Sequence, residues 1–318
     1  MHHSRARRRL VAVVLALVAV LAAPGTASAL APAAPATVRD YPQAIWALLT
    51  ALNDYRVQDG EAPVVQDPRL SAVATAWARE AVTRRDPGGD PDLPQKLPGG
   101  TALLSDEIFL VDTETPEQAA FSVAVSSWYL WNDMGVTDVG VGVAETQGSG
   151  GVHRYAVYVI ATAVDRRGPA PGEATLYRFF RPDTGTHFYS ASESERNSVI
   201  RDRIYQYEGP VGFVLTRSST VPGTQALHRF FQPGIGTHFY TSTAAERDAV
   251  LTYPQYRIEG VAARVLTTAG AGRAPVYRFF RPGTGTHLYT SSAAERDAVR
   301  QMPEYVDEGT AFFLRPYS

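Results

Sequence analysis

The phrase Tyr-Arg-Phe-Phe-Arg-Pro-Asp-Thr-Gly-Thr-His-Phe-Tyr at 177–189 returns in near copy at 228–240 and 277–289, so the last 145 or so residues are one unit written three times. The copies begin 51 and then 49 residues apart. They stay in register through Gly185/Gly236/Gly285, His187/His238/His287, Glu195/Glu246/Glu295, Arg196/Arg247/Arg296, Tyr205/Tyr256/Tyr305 and the pairs Glu208-Gly209, Glu259-Gly260 and Glu308-Gly309. Everything between these marks has drifted. A unit this short cannot bury its own apolar face, so the copies must pack against one another.

Each unit reads strand, turn, strand, short helix, strand. In the first copy the turn is Pro182-Asp-Thr-Gly185, where glycine is free to take positive φ. Ser192, Thr243 and Ser292 stand where a helix N-cap belongs. Three copies without a fourth predict a β-rich module closed with pseudo-threefold symmetry, in the manner of a β-trefoil, which leaves no sheet edge bare, the alternative being an open stack with two bare ends.

The other end of the chain carries Arg5, Arg7, Arg8 and Arg9, then a run of almost unbroken apolar residues from 10 to 23 that ends in Ala27-Ser28-Ala29. A basic stretch, an apolar stretch too short for a comfortable span and a small-x-small site predict a secretory signal peptide cut after Ala29. Its removal takes four arginines and no acids, so the formal charge of -2 becomes -6. A mildly acidic chain with a single lysine, Lys96, disfavours nucleic acid as a partner. There is no cysteine, so stability rests on apolar cores rather than disulfides. The expected organisation is a signal peptide at 1–29, a flexible leader at 30–41, a first domain at 42–165, a linker at 166–174 and repeats at 175–318. The three units fall at 175–220, 226–270 and 275–318. After cleavage no membrane span remains, and the expected location is extracellular.

In the first domain, Ile45, Leu48, Leu49 and Leu52 recur at helical spacing, as do Leu70, Val73, Ala74, Trp77, Ala81 and Val82. Asp67-Pro68 supplies the second helix with a cap and a first-turn proline. The stretch 86–100, rich in proline, glycine and acids, predicts no stable element. Thr115 and Gln118 form a capping box for a third helix running to about Trp131. Residues 136–144 and 154–162 alternate as two strands, an antiparallel pair. Helices and a small sheet in this order predict an α+β domain, specifically an α-β-α sandwich.

This segment resembles the CAP superfamily, the SCP-like or pathogenesis-related-1-like domains. The matching phrases are Leu49-Thr-Ala-Leu-Asn-Asp-Tyr-Arg56, Asp67-Pro-Arg-Leu-Ser-Ala-Val-Ala-Thr-Ala-Trp-Ala-Arg79, Asp106-Glu107-Ile108 and Thr137-Asp-Val-Gly-Val-Gly-Val143, covering about 42–163. The resemblance implies a groove in which two histidines and acidic residues hold a divalent metal, and Glu107 matches the family glutamate. The family histidines would fall on Gly89 and near Tyr129, and neither position is a histidine. His153 is the domain's one histidine and cannot rebuild the pair, so no metal and no cofactor is expected. Glu107 and Asp138 remain as candidates for a catalytic carboxylate pair, with Trp128, Tyr129 and Trp131 near in sequence. The plainer alternative makes Glu107 a loop-bonding residue and Asp138 a turn residue. No His-Glu-x-x-His, Gly-x-Ser-x-Gly or phosphate-loop motif occurs.

The three units resemble a secreted repeat family of unknown function of the DUF5648 type, known by its Tyr-Arg-Phe-Tyr and Gly-x-His-Phe-Tyr-Thr pattern. That resemblance covers about 175–315 and brings short β-rich units with no established chemistry. Two readings of the repeated residues stand. In one, His187, His238 and His287 are structural and Glu195, Glu246 and Glu295 make caps or ion pairs. In the other, these residues and Tyr189, Tyr240 and Tyr289 line three shallow sites where a ring stacks on a sugar and polar groups bond its hydroxyls, the three gaining affinity together. The function expected is a secreted, non-catalytic protein that binds polysaccharide or cell-wall glycan. The alternatives are an extracellular hydrolase acting around Glu107 and a structural module for protein contacts at the cell envelope.

Overall fold

The structure, a computed structural model, describes residues 41–84, 88–99, 101–126, 135–147, 153–164 and 168–317. The expected signal peptide and leader, and Trp128, Tyr129 and Trp131, lie outside the described residues. Among the described residues no helix is long and apolar enough to cross a membrane.

Helix α1 (Pro42–Gln58) starts on a proline, and strand β1 (Val65–Gln66) leads into α2 (Pro68–Arg84). A four-residue helix, α3 (Leu93–Lys96), anchors Leu93 inside the protein, so the stretch expected to hold no element holds this one turn. A long strand, β2 (Ala102–Thr113), precedes α4 (Pro116–Ser126), and β3 (Asp138–Gln147) and β4 (His153–Ala163) follow. Thr115 caps α4, accepting from the Gln118 N–H at 3.2 Å, while the Gln118 side-chain oxygen reaches back one residue beyond the cap to accept from the Glu114 N–H at 3.2 Å.

These strands make a four-stranded sheet in the order β1-β3-β4-β2. The expected antiparallel pair is β3 and β4, with Val141 opposite Val159. Strand β2 was not foreseen because its burial is partial along nearly its whole length, giving no two-residue alternation. Two glycines of β3 let α2 lie directly on the sheet. A Cβ on Gly140 would stand 2.4 Å from the Leu70 carbonyl carbon, and one on Gly142 would stand 2.2 Å from that of Ala74.

Helix α1 has a different task. Leu48 and Leu52 share a core with Val123 of α4 and with Val141 and Val157 of the sheet, while Val57 belongs to a separate cluster with Tyr177, Phe179 and Ile200 of the first repeat unit. It is therefore a bridge between the two halves of the chain. Asp54, buried on α1, receives the guanidinium of Arg203, with Arg203 Nε at 3.0 Å. Arg203 ends a repeat-unit helix in a left-handed conformation, φ 54°, which an L side chain adopts at a cost.

Each repeat unit folds in the order its sequence predicts. The first has β5 (Glu173–Arg181), β6 (Thr186–Ser190), α5 (Glu193–Asp202) and β7 (Gln206–Leu215). The second has β8 (Thr224–Gln232), β9 (Thr237–Thr241), α6 (Ala244–Val250) and β10 (Arg257–Leu266). The third has β11 (Ala274–Arg281), β12 (Thr286–Thr290), α7 (Ala293–Val299) and β13 (Val306–Pro316). Gly185, Gly236 and Gly285 take φ of 66°, 64° and 68° in the hairpin turns. Ser192 and Ser292 cap their helices by accepting from the N–H of Glu195 and Glu295, whereas Thr243 makes no such bond.

The architecture differs from the expected one. Among the described residues strand outweighs helix, the strands lie in two sheets and no barrel closes. In place of an α-β-α sandwich, there is a four-stranded sheet whose first helix packs on it through Leu48 and Leu52 and on the first repeat unit through Val57. In place of a β-trefoil-like barrel, each unit keeps its own antiparallel trio, β5 between β6 and β7, β8 between β9 and β10, β11 between β12 and β13. The trios meet only at the ends of their third strands, where Leu215 pairs with Arg264, Leu266 with Phe313 and Phe213 with Arg315. Side chains carry the rest of the association.

Candidate functional site

Repetition builds a ring of contacts among the units. The hydroxyl of Tyr189 donates to the Tyr289 carbonyl at 2.7 Å, that of Tyr289 to the Tyr240 carbonyl at 2.6 Å, and that of Tyr240 to the Tyr189 carbonyl at 2.7 Å. Each hydroxyl also accepts the N–H of the residue whose carbonyl it bonds, at 2.9 to 3.2 Å. The three rings meet edge to face with centroids 5.5 to 5.8 Å apart. All three tyrosines are buried, and burial pushes their hydroxyls above the usual tyrosine range. Their edges and faces are spent on one another, so none of them offers a ring to a ligand.

Around this core lie three equivalent ion clusters, one at each interface. Arg229 of the second unit bonds Glu195 of the first at 2.9 and 3.0 Å and meets its own Glu259 at 2.7 Å. Arg278 spans Glu246 at 2.8 Å and Glu308 at 2.7 Å, and Arg178 spans Glu295 at 2.7 Å and Glu208 at 2.7 Å. Burial opposes ionisation of Glu195, Glu246 and Glu295. Hydrogen bonds and charge from the neighbouring arginine overcome it and hold each carboxyl below its ordinary value. Glu208, more deeply enclosed, is pushed up by burial.

The histidines stand 3.3 to 3.5 Å from Glu208, Glu259 and Glu308. Burial, reinforced by the adjacent arginine, lowers His187 to about 3 and His238 and His287 to about 4. At neutral pH they are uncharged, so these contacts are not ion pairs. Their rings pack on Phe180, Phe231 and Phe280 of the same unit, and His238 and His287 also meet Phe188 and Phe239 across the interface.

The candidates in the front half are not brought together. Glu107 lies opposite Val159 in the sheet, and Asp138 lies opposite Thr162. Val159 faces the core shared with α1 and α4, and side chains alternate along a strand, so Thr162 and Asp138 belong to the other face. The two carboxylates therefore project to opposite sides of the sheet and form no acid/base pair. Asp138 is buried and accepts from the Thr137 hydroxyl at 2.6 Å. Gly89, where a family histidine would fall, abuts Asp106: a Cβ there would stand 2.7 Å from the carboxylate oxygen. Asp106 instead accepts from the Tyr158 hydroxyl at 2.7 Å. His153, at the start of the interior strand β4, stands 3.8 Å from Glu145.

A cleft of about 430 Å³ opens between the first two units, within the size range of small-molecule sites, roughly 300–1,000 Å³. Glu195, Arg229 and Glu259 form part of its wall, with Ser190, Thr216 and Arg217 around them. The Ser190 hydroxyl donates to Glu195. Arg217 is exposed and has no partner among the described residues. Of these groups, the sequence names Glu195 alone as a candidate site residue, and Glu259 only as a mark of the repeat register. Arg178, Arg229 and Arg278 were legible as constants of the repeated phrase. Arg217 was not, because it stands where the other units have Thr268 and Tyr317.

The fold and these interfaces define a module of three short β units locked into a ring by side chains. Residues 175–315 match the family model described as a domain of unknown function, DUF5648. No curated protein matches the chain.

Proposed function

We propose that this chain is a secreted, non-catalytic binding protein whose repeat module recognises polysaccharide. The front half, which resembles the CAP superfamily without its histidine pair, serves as a scaffold held to the module through α1. The observation that carries the reading is the open cleft between the first two units. Its wall mixes carboxylate acceptors, guanidinium donors and hydroxyls, the groups that bond the many hydroxyls of a sugar chain. Secretion is inferred from the basic and apolar segments at the start of the chain.

The ion clusters argue for binding rather than bond cleavage. Each repeated glutamate is already engaged by an arginine from the next unit, and the repeated histidines, lowered to about 3 to 4 by burial and the adjacent arginine, are too weakly basic to take up a proton at neutral pH. The test is co-sedimentation of the purified full chain with a panel of insoluble polysaccharides, including cellulose, chitin and cell-wall sacculi. Retention on at least one, with no release of soluble sugar over time, is the expected result. Absence of retention across the panel overturns the proposal, and release of soluble fragments overturns its non-catalytic part.

A further inference from the structure

In all three units the third strand bulges at the same place, leaving Val211, Ala262 and Ala311 without a partner in the strand register. At two interfaces the bulged residue is served by a serine of the neighbouring unit. The Ser291 hydroxyl donates to the Val211 carbonyl at 2.9 Å, and the Ser242 hydroxyl to the Ala311 carbonyl at 3.2 Å. At the interface between the first and second units the corresponding residue is Ala191, which has no hydroxyl to give the Ala262 carbonyl. Ala191 and Ala262 both line the cleft.

Two further substitutions fall on the same wall. Ala174 stands where the second unit has the longer Gln225 and the third has Ala274, and Arg217 stands where the other units have Thr268 and Tyr317. The cleft thus lies where one interface alone loses the serine hydroxyl and gains an uncommitted donor. Repeat symmetry shows what the missing group is.

Resting on the glycan reading, we propose that this cleft is a single site for an uncharged sugar residue. One hydroxyl of that sugar donates to the Ala262 carbonyl in place of the absent serine, and another accepts from Arg217. The charges favour a neutral ligand: Arg217 and Arg229 balance Glu195 and Glu259 on the wall. A carboxylated sugar would gain one arginine and face two carboxylates.

The test uses the full chain and ligand-observed NMR with short oligomers of glucose, mannose, galactose and N-acetylglucosamine, each beside glucuronic and galacturonic acid oligomers. The parent is expected to bind one or more neutral oligomers, with little change between low and high salt. Ala191→Ser and Ala174→Gln, which install the residues of the second unit, are expected to weaken binding by about tenfold or more without lowering the melting temperature. Ser242→Ala, at the next interface, is expected to leave the affinity of the first site unchanged. If Ala191→Ser and Ala174→Gln both fold and bind as the parent does, the site is overturned while polysaccharide recognition stands. Preference for the acidic oligomers, weakening steeply with salt, overturns the neutral class. No binding of any sugar by the parent overturns this site together with the reading it rests on.

Discussion

The two sheets of this protein are held by opposite means. In the first, stability comes from what is absent: Gly140 and Gly142 carry no side chain, so α2 rests backbone to backbone on β3, and Ala74 and Ala78 fill the contact with little more than methyl groups. In the repeat sheet the strands of different units barely pair, and the contact is made by large side chains that each have a unique partner, the tyrosine ring and the Arg–Glu clusters. Steric contact is sensitive to added volume. Reciprocal bonding is sensitive to a lost atom. The difference also explains why the repeated polar residues are a poor guide to a ligand site: most of them hold the ring together.

The contrast can be broken at its strongest point by Gly142→Val. Because the nearest atoms to an added Cβ are backbone, nothing flexible can move aside, and a loss of about 3 kcal/mol or more is expected in chemical denaturation. The same substitution at the solvent-facing Gly283 of the repeats, where an added Cβ meets nothing within 4 Å, should cost far less.

Arg278→Met removes the cation between Glu246 and Glu308, which are 31% and 28% exposed. Because both acids keep some water, the expected loss is about 2 kcal/mol, below that of a fully buried pair. Adding Glu246→Gln should recover part of it. No recovery would show that the arginine acts by packing alone.

Tyr240→Phe leaves the N–H and carbonyl of Tyr189 without the hydroxyl that serves both. A loss of about 1 to 2 kcal/mol is expected, with the module still folded. A loss equal to that of Tyr240→Ala would mean that the ring, and not the hydroxyl, does all the holding.

The smallest effect is pH dependence. The histidines titrate near 6.5 when unfolded and at about 3 to 4 when folded, so the unfolded chain takes up protons first as pH falls. Stability is therefore full above the unfolded value and is lost as pH drops below it. Each histidine contributes about 1 kcal/mol or less between pH 7 and 6. Replacing His238 by Gln should flatten the pH profile of the melting temperature by about a third. An unchanged slope would assign the dependence to other groups.

Much of the unit was legible in sequence because its signals are local. Gly185 marks a turn by the φ it allows, Ser192 caps the first helix of the repeats, and Thr115 with Gln118 caps α4. The site was less legible. Tyr189, Tyr240 and Tyr289 had been candidates for a sugar platform because a repeated aromatic looks the same whether it faces solvent or its own copies. Arg217 and Ala191 carried no motif, and their meaning lies in how they depart from the other two units.

What the sequence by itself determined was the existence of three like units, their internal order of strands and helix, and the identity of the residues that any symmetric contact would have to use. Those follow from hydrogen bonds and dihedral preferences within a few residues of one another. The tertiary structure alone decided that the units would remain separate trios instead of closing a barrel, that Glu107 and Asp138 would face apart, and that a cleft would open between the first two units. Each of these depends on which distant surfaces meet. A single absent hydroxyl, at Ala191, has no consequence until the carbonyl it would have bonded is brought opposite by folding.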